Sequence, residues 1–552
     1  MKEIKQMYKH DSVSYMEPDS RMQARNIQVF NMERGTGDMA IKVIFLIVFF
    51  AVMVLIGVMT RRKARSVDGF VLGGRSAGPW LTAFGYGTSY FSAVVFVGYA
   101  GQFGYKYGVS ATWAGIGNAV LGSLLAWIVL GRRTRVMTKH LNSRTMPDFF
   151  GKRFDSDSLK VAAALISFVF LIPYTSSVYN GLSRLFRMAF DIPYTVCVIV
   201  MAALTCVYVL LGGYMATVVN DFVQGIIMLF GISAVILAVL KSNGGFLQAL
   251  TTLSRYESDL PVTAGMQGAF TSFFGPDPLN LLGVVVLTSL GTWGLPQMVG
   301  KFYAIKDERS IKAGTVISTF FAIVVAGGCY FLGGFARLYS ENPTITNPDG
   351  SVAYDAIIPA MLAGLPDILI GIVVVLVLSA SMSTLSSLVL TSSSSVTLDL
   401  IAHFKTDLEE KKKLLIMRVL LVVFIVISVV LALNPPTFIA QLMGYSWGAL
   451  AGSFLAPFLY GLYWKGTTKL SVWASFAAGV GITLSNMFLH YIKSPINAGA
   501  LTMLAGLIIV PVVSLLTPRL EEGRLAQIFS GYDETITIQK RYSLKEEDDE
   551  AQ

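Results

Sequence analysis

One apolar run carries the densest chemistry in this chain: Ser379-Ala380-Ser381-Met382-Ser383-Thr384-Leu385-Ser386-Ser387-Leu388. Read as a helix, it places residues 380, 383, 384 and 387 on one face, with Ser386 alongside. A single hydroxyl in a membrane helix usually bonds back to the carbonyl one turn earlier. The hydroxyls gathered on this face exceed what that habit needs. Hydroxyls and freed backbone carbonyls are hard, uncharged oxygen ligands, and together they suit a monovalent cation without burying net negative charge. A second candidate is Asp221, in the run Gly212-Gly213-Tyr214-Met215-Ala216-Thr217-Val218-Val219-Asn220-Asp221-Phe222-Val223-Gln224. A carboxylate two turns inside an apolar helix costs about 2.5–3.5 kcal/mol or more unless paired, so it reads as functional.

Two further runs supply the carbonyls. Gly85-Tyr86-Gly87-Thr88-Ser89-Tyr90-Phe91-Ser92 and Gly291-Thr292-Trp293-Gly294-Leu295-Pro296-Gln297 each interrupt an apolar segment. Glycine costs about 1 kcal/mol against alanine inside a helix, and proline removes a donor and clashes with the preceding turn. Glycine also serves close helix packing in membranes, which is the plainer reading of either run alone. Two interruptions in matching positions, five segments apart, point instead to a transporter whose site lies at the midplane between them.

The elements that position these groups are membrane spans. The 552 residues are 54% hydrophobic and 14% charged, with a mean hydropathy of +0.62. An average soluble domain is about 25% charged. Runs of about 20 apolar residues, each enough to cross the bilayer, recur thirteen times: 40–60, 79–105, 111–131, 158–180, 192–211, 214–240, 279–300, 312–336, 366–395, 414–433, 437–462, 471–491 and 498–517. This composition excludes a soluble enzyme, a nucleic-acid binder and a disordered chain. Cys197, Cys206 and Cys329 lie in apolar runs, so no disulfide framework or metal cluster is expected. The four histidines fall at segment edges or in loops, and no nucleophile and base or paired carboxylates stand together, so an enzyme is not expected.

Basic residues set the orientation. They crowd every second loop, including Arg61, Arg62 and Lys63, then Arg132, Arg133 and Arg135, then Lys301 and Lys306, then Lys411, Lys412 and Lys413. Basic loops stay inside, which places the N-terminus outside and the C-terminus in the cytoplasm of a plasma (inner) membrane. The net charge of +9 reads as this anchoring. Residues 1–38 lack the apolar core of a signal peptide, and two readings stand: an external polar tail, or an initiator at Met32 or Met39. The stretch 518–552 is expected to be a solvated tail.

These residues carry a family resemblance. Asp68-Gly69-Phe70-Val71-Leu72-Gly73-Gly74-Arg75, the Gly-Gly…Asp…Gln run around Asp221 and the Met382-Ser383-Thr384 helix resemble the sodium:solute symporter family, in order and spacing, over roughly residues 40–460. The resemblance implies an all-α polytopic membrane protein of the leucine-transporter fold, with two inverted five-helix repeats and broken helices. The expected divisions are the first helix and loop at 39–78, repeat one at 79–240, an external loop at 241–278, repeat two at 279–462 and two last helices at 463–517. It further implies a principal sodium site of the Thr88, Phe91 and Ala380 carbonyls with the Ser383 and Thr384 hydroxyls. Some members hold a second sodium with residues matching Asp221, Ser383, Ser386 and Ser387. All four side chains are present, so one and two ions per cycle both stay open, with two favoured.

The solute is less legible. Sugar-transporting members carry a Glu-Gln pair where this chain has Ala93-Val94, and sialic-acid members an arginine that the stretch 168–179 lacks. Proline-transporting members carry an acid at the position of Tyr90 and aromatics at those of Thr288 and Thr292. What remains as a substrate-binding set is Ser89, Tyr90, Ser92, Gln102, Thr288, Thr292 and Trp293. A half-helix N-terminus favours an anionic group, hence a small carboxylate or an amino acid. The expected function is secondary-active symport by alternating access. Na+ is the coupling ion, and the partners are a small solute and the lipid bilayer; no other cofactor, nucleic acid or obligate protein partner is indicated. A sodium-independent uniporter or exchanger, or a solute sensor, is the alternative on the same scaffold.

Overall fold

The protein is described by a computed structural model covering residues 42–405 and 408–532. The N-terminal tail at 1–38 therefore lies outside the described residues. Each of the thirteen apolar runs falls on helix, because a backbone crossing lipid must satisfy its own donors and acceptors. We label them α1 (Lys42–Thr60), α2 (Pro79–Tyr90, resuming at 94–107), α3 (112–140), α4 (Asp157–Phe190), α5 (194–212) and α6 (214–242). They continue as α7 (Pro278–Leu290, resuming at Pro296–Tyr303), α8 (Glu308–Gly333), α9 (Asp367–Phe404), α10 (Glu410–Leu433), α11 (Ile439–Tyr463), α12 (Lys469–Leu489) and α13 (Pro495–Leu516). No strand occurs among the described residues.

Nine helices among the described residues are long and apolar enough to cross a membrane, ten with the bent α7 pair. Two joints lower the number, the second half of α2 running into α3 and α5 into α6, and α11 is not among the ten. Tyr194–Ser242 is continuous over 49 residues, more than twice a bilayer's thickness at 1.5 Å per residue, and holds both α5 and α6. Gly213 separates them with φ 54° and ψ −148°, a conformation closed to other residues. A Cβ there would stand 2.8 Å from the Phe70 ring and 2.9 Å from its carbonyl oxygen.

Local signals fix the helix starts. Proline opens α7, its second half and α13, where a missing N–H costs nothing. Ser156 and Thr468 cap α4 and α12. Asp307 caps α8, and the N–H and hydroxyl of Ser310 hold its carboxyl below the usual carboxylate range.

Around the centre, α9 packs between α4 and the α5–α6 rod, while the first half of α2 lies against α6, α8 and α9. α11 lies on α4 and is backed by α12 and α13. The second half of α2 meets α8 backbone to backbone: a Cβ on Gly104 would fall 1.8 Å from the Gly333 oxygen.

Loops that alternation assigns to one side do meet. Arg75 bonds the carbonyls of Tyr303 and Ser143, Arg144 pairs with Asp68, Arg132 with Glu308, and Arg153 bonds Gly461. At the other end Arg337 pairs with Asp259, Arg184 with Asp355, and Lys42 with Asp367. The first set we call the basic end.

Two expectations need correction here. Lys301 is not a loop cation: it lies in the second half of α7 and is 2% exposed. The segment 518–532 is not a solvated tail. Residues 522–532 are helical and bury Leu525, Ile528, Phe529 and Tyr532, whose spacing of three, four and seven makes one apolar face. Arg133 stacks on Tyr532 and Arg153 on Phe529, fastening this helix to the basic end. Residues beyond 532 lie outside those described.

Candidate functional site

The first half of α2 ends at Tyr90, and Phe91 is extended at φ −103° and ψ 97°. Ser92 restarts the helix: its hydroxyl accepts from the Val94 N–H and its carbonyl from those of Val95 and Phe96. In an unbroken helix the carbonyls of Thr88 and Ser89 would receive the N–H groups of residues 92 and 93. The break withholds them. The Thr384 hydroxyl on α9 fills the gap, 3.4 Å from the Thr88 oxygen, 3.3 Å from that of Ser89 and 3.1 Å from that of Ala380. One hydroxyl hydrogen serves one of these three carbonyls at a time, so the cluster is rich in acceptors and poor in donors.

Ser383 sits beside it and donates to the Thr88 hydroxyl at 2.7 Å, which itself donates to Phe84 at 2.8 Å. Ser387 and Ser89 share a hydrogen bond of 2.9 Å. Ser386 turns its hydroxyl back to the Ser383 carbonyl at 2.9 Å. Thus Thr88, Ser89, Ala380, Ser383, Thr384 and Ser387 are gathered at one place, all essentially buried, while Ser386 faces its own helix.

Asp221 is buried against the same region. Its partner is Lys301, Nζ to Oδ2 3.1 Å, and Oδ1 has no hydrogen-bond partner among the described residues. The pair rests on α2 at Gly85, where a Cβ would lie 3.3 Å from Oδ2 and 3.6 Å from Nζ. Lys301 is the residue that sequence reasoning misplaced. Its pairing spans 80 residues and leaves no local signal.

The second break turns α7 by 41°. A short tight turn, Gly291–Trp293, bridges the halves. Thr292 donates to Gly122 at 3.2 Å and Ser289 at 3.0 Å, Trp293 Nε1 to Leu121 at 2.9 Å, and Tyr86 to Gly122 at 2.7 Å. Leu121 and Gly122 belong to a widened π-helical stretch of α3, Asn118–Leu125, whose misaligned carbonyls are open to side chains. The Tyr90 hydroxyl donates to the Thr288 carbonyl, so one bond ties the two broken helices together. Tyr90 stacks on Phe91 at 4.3 Å, and Trp447 of α11 closes the wall, 6.4 Å from Tyr90 and 5.8 Å from Tyr174. Trp447 and Tyr174 carried no motif; only Gly291, whose Cβ would stand 2.6 Å from the Trp447 ring, marks their approach. Gln102 is not brought to the others: it lies ten residues past Ser92, about 15 Å along the helix.

A cavity of about 50 Å³ is lined by Ser387, Lys301, Gln297, Thr391 and Ser394 together with Leu72 and Arg144 of the basic end. It is large enough to hold water beside these residues.

Residues 70–479 match the model of the sodium:solute symporter family. The chain belongs to the sodium:solute symporter family. Its relatives include the osmoregulated proline transporter of Bacillus subtilis, 29% identical over 86% of this chain and 95% of that one. The sodium/proline symporter of Escherichia coli is 29% identical over 77% of this chain and 84% of its own length. In structure the chain is similar to a Na+-coupled sialic acid symporter in an outward-open state, with a TM-score of 0.68 at 15% identity over 87% of this chain and 99% of that one. It is also similar to MhsT in complex with L-phenylalanine, with a TM-score of 0.51 at 13% identity over 80% of this chain and 98% of that one. The fold is the leucine-transporter fold, and this symporter-family member is a multi-pass membrane protein.

Proposed function

We propose that this symporter imports a small zwitterionic amino acid, L-proline being the first candidate, together with sodium. The observation that carries the ion half is the Thr384 hydroxyl with three carbonyls at 3.1–3.4 Å. A sodium ion at that place would satisfy the Thr88, Ser89 and Ala380 oxygens together with both hydroxyls of α9, the Ser89 carbonyl entering the set where the family resemblance implied that of Phe91. The broken helix thus offers a site that forms only where α2 and α9 meet, as an ion coupled to a conformational cycle requires.

The solute half rests on the wall between the breaks and on the relatives described as proline transporters. That wall holds Tyr90, Tyr174, Thr288, Thr292, Trp293 and Trp447, hydroxyls and rings without net charge. A wall without net charge disfavours a solute of net charge, and the carboxylate and ammonium of a zwitterion would need partners at the half-helix ends beside the breaks. The aromatic bulk absent at Thr288 and Thr292 is supplied from other helices by Tyr90 and Trp447. The basic end faces the cytoplasm in this reading, and the inverted repeats run 79–240 and 279–462, each opening on a broken helix.

The test is uptake of labelled L-proline into proteoliposomes, with competition by a panel of amino acids and small carboxylates. Expected is accumulation that needs an inward sodium gradient and collapses when potassium replaces sodium. Sodium-independent exchange would select the uniporter reading instead. Sodium-driven uptake of a panel member other than proline would retain the mechanism and replace the solute.

A further inference from the structure

The ion pair Lys301–Asp221 is left unused by the site as read so far. It is buried on both sides, with the two side chains 3% and 1% exposed. Burying an unpaired charge is expensive, so a lone Asp221 would require a cation. We propose that the Lys301 ammonium is that cation: it stands where a second sodium would bind, and the protein takes up one sodium ion per cycle. This rests on the sodium-coupled reading above and narrows it.

Four observations converge. First, Nζ is 3.1 Å from Oδ2, which neutralises the carboxylate without an ion from solution. Second, of the three hydroxyls of a second site only Ser383 stands at the carboxyl: Ser386 turns to the Ser383 carbonyl and Ser387 to Ser89. Third, Lys301 is held in place. The Tyr214 ring lies 5.6 Å from Nζ, and Gly85 leaves α2 close beneath the pair. Fourth, a cavity of about 50 Å³ is lined by both Lys301 and Ser387 and by Arg144 of the basic end, so there is room for water beside the pair. With the ammonium present, a sodium ion at Asp221 would leave one uncompensated positive charge inside the membrane. Without it, Asp221 would carry an uncompensated negative charge beside hydroxyl ligands.

The pair also explains how Asp221 serves transport without binding sodium. Lys301 belongs to the second half of α7, Asp221 to α6, and Ser383, beside the Asp221 carboxyl, also bonds Thr88 of the principal site. The fixed cation thereby links the second half of α7, through Asp221 and Ser383, to Thr88 of the proposed sodium site.

The experiment is equilibrium binding of 22Na+ to purified full-length protein in nanodiscs without any solute, so the solute's identity does not enter. Wild type is expected to saturate at one ion per chain with a Hill coefficient near one, and Lys301→Arg to do the same. Lys301→Met, with Asp221 free, should rise to two ions per chain. Lys301→Met combined with Asp221→Asn should return to one. Two ions bound by wild type would overturn the proposal, and this arm needs no variant to fold. A count of one in well-folded Lys301→Met would overturn it as well. Zero bound sodium in wild type would sink the sodium-coupled reading itself and the proposal with it, an outcome distinct from a count of two.

Discussion

Thr384 and Ser383 differ from the other hydroxyls of α9 in what they face. Ser386 bonds its own helix, whereas Thr384 meets carbonyls that the α2 break has stripped of donors. In the proposed sodium site, replacing either residue by alanine removes one oxygen from the ion, an interaction of about 1.5–3 kcal/mol. Ser383→Ala and Thr384→Ala should therefore raise the sodium needed for half-maximal uptake roughly tenfold or more. Unchanged sodium dependence in both, at normal expression, would remove the assignment. On the solute side, Thr292 bonds Gly122 and Ser289 at the α7 turn. Thr292→Leu should weaken solute affinity while sodium-induced thermal stabilisation persists; loss of both together would place Thr292 at the ion instead. These hydroxyls were legible because helical spacing alone aligns them. Lys301 was not, because a lysine at the end of an apolar run looks the same whether it ends in water or against an acid 80 residues earlier.

Helix breaks and close approaches are where elements decide function. Gly213 lets 49 residues make two helices, and its backbone conformation excludes a side chain. Gly213→Ala combines about 1–3 kcal/mol of backbone strain with a clash against Phe70, so a lowered melting temperature and reduced transport are expected. A melting temperature equal to wild type would show that the joint relaxes freely. The Gly-Gly pair at 212–213 is visible in sequence, but its neighbour Phe70 lies on another segment. The helix at 522–532 is a different case: its apolar spacing was present in the sequence, yet flanking charges made it read as tail. Its burial against Arg133 and Arg153 shows that cation–π contacts can hold such a helix to a charged membrane face.

At the scale of the whole molecule, the proposed orientation and the stoichiometry set what the protein can do. Exposed Asn347 lies in the loop before α9, and exposed Lys411 at the start of α10. On a background without the native cysteines, Asn347→Cys should react with an impermeant maleimide in intact cells, and Lys411→Cys only after permeabilisation. The reverse pattern would invert the orientation. With 100 mV inside-negative, one sodium charge supplies about 2.3 kcal/mol, and a tenfold gradient about 1.4 kcal/mol more. One ion therefore limits accumulation of a net-neutral solute to about 500-fold. Steady accumulation well above that ratio, under those conditions, would require a second coupled ion.

The sequence by itself determined the class and pointed to a candidate ion site. Membrane spans follow from the length and apolarity of local runs, and the hydroxyl face of α9 from helical periodicity. The two breaks follow from glycine and proline within such runs. Each is a property of neighbouring residues, which is why it needs no tertiary information. Tertiary structure decided what meets what. Thr384 reaches Thr88 across 296 positions, Lys301 reaches Asp221 across 80, and Trp447 closes a wall to which no motif assigned it. A buried charge or ring is given its role by partners on other helices, and packing alone brings those helices together.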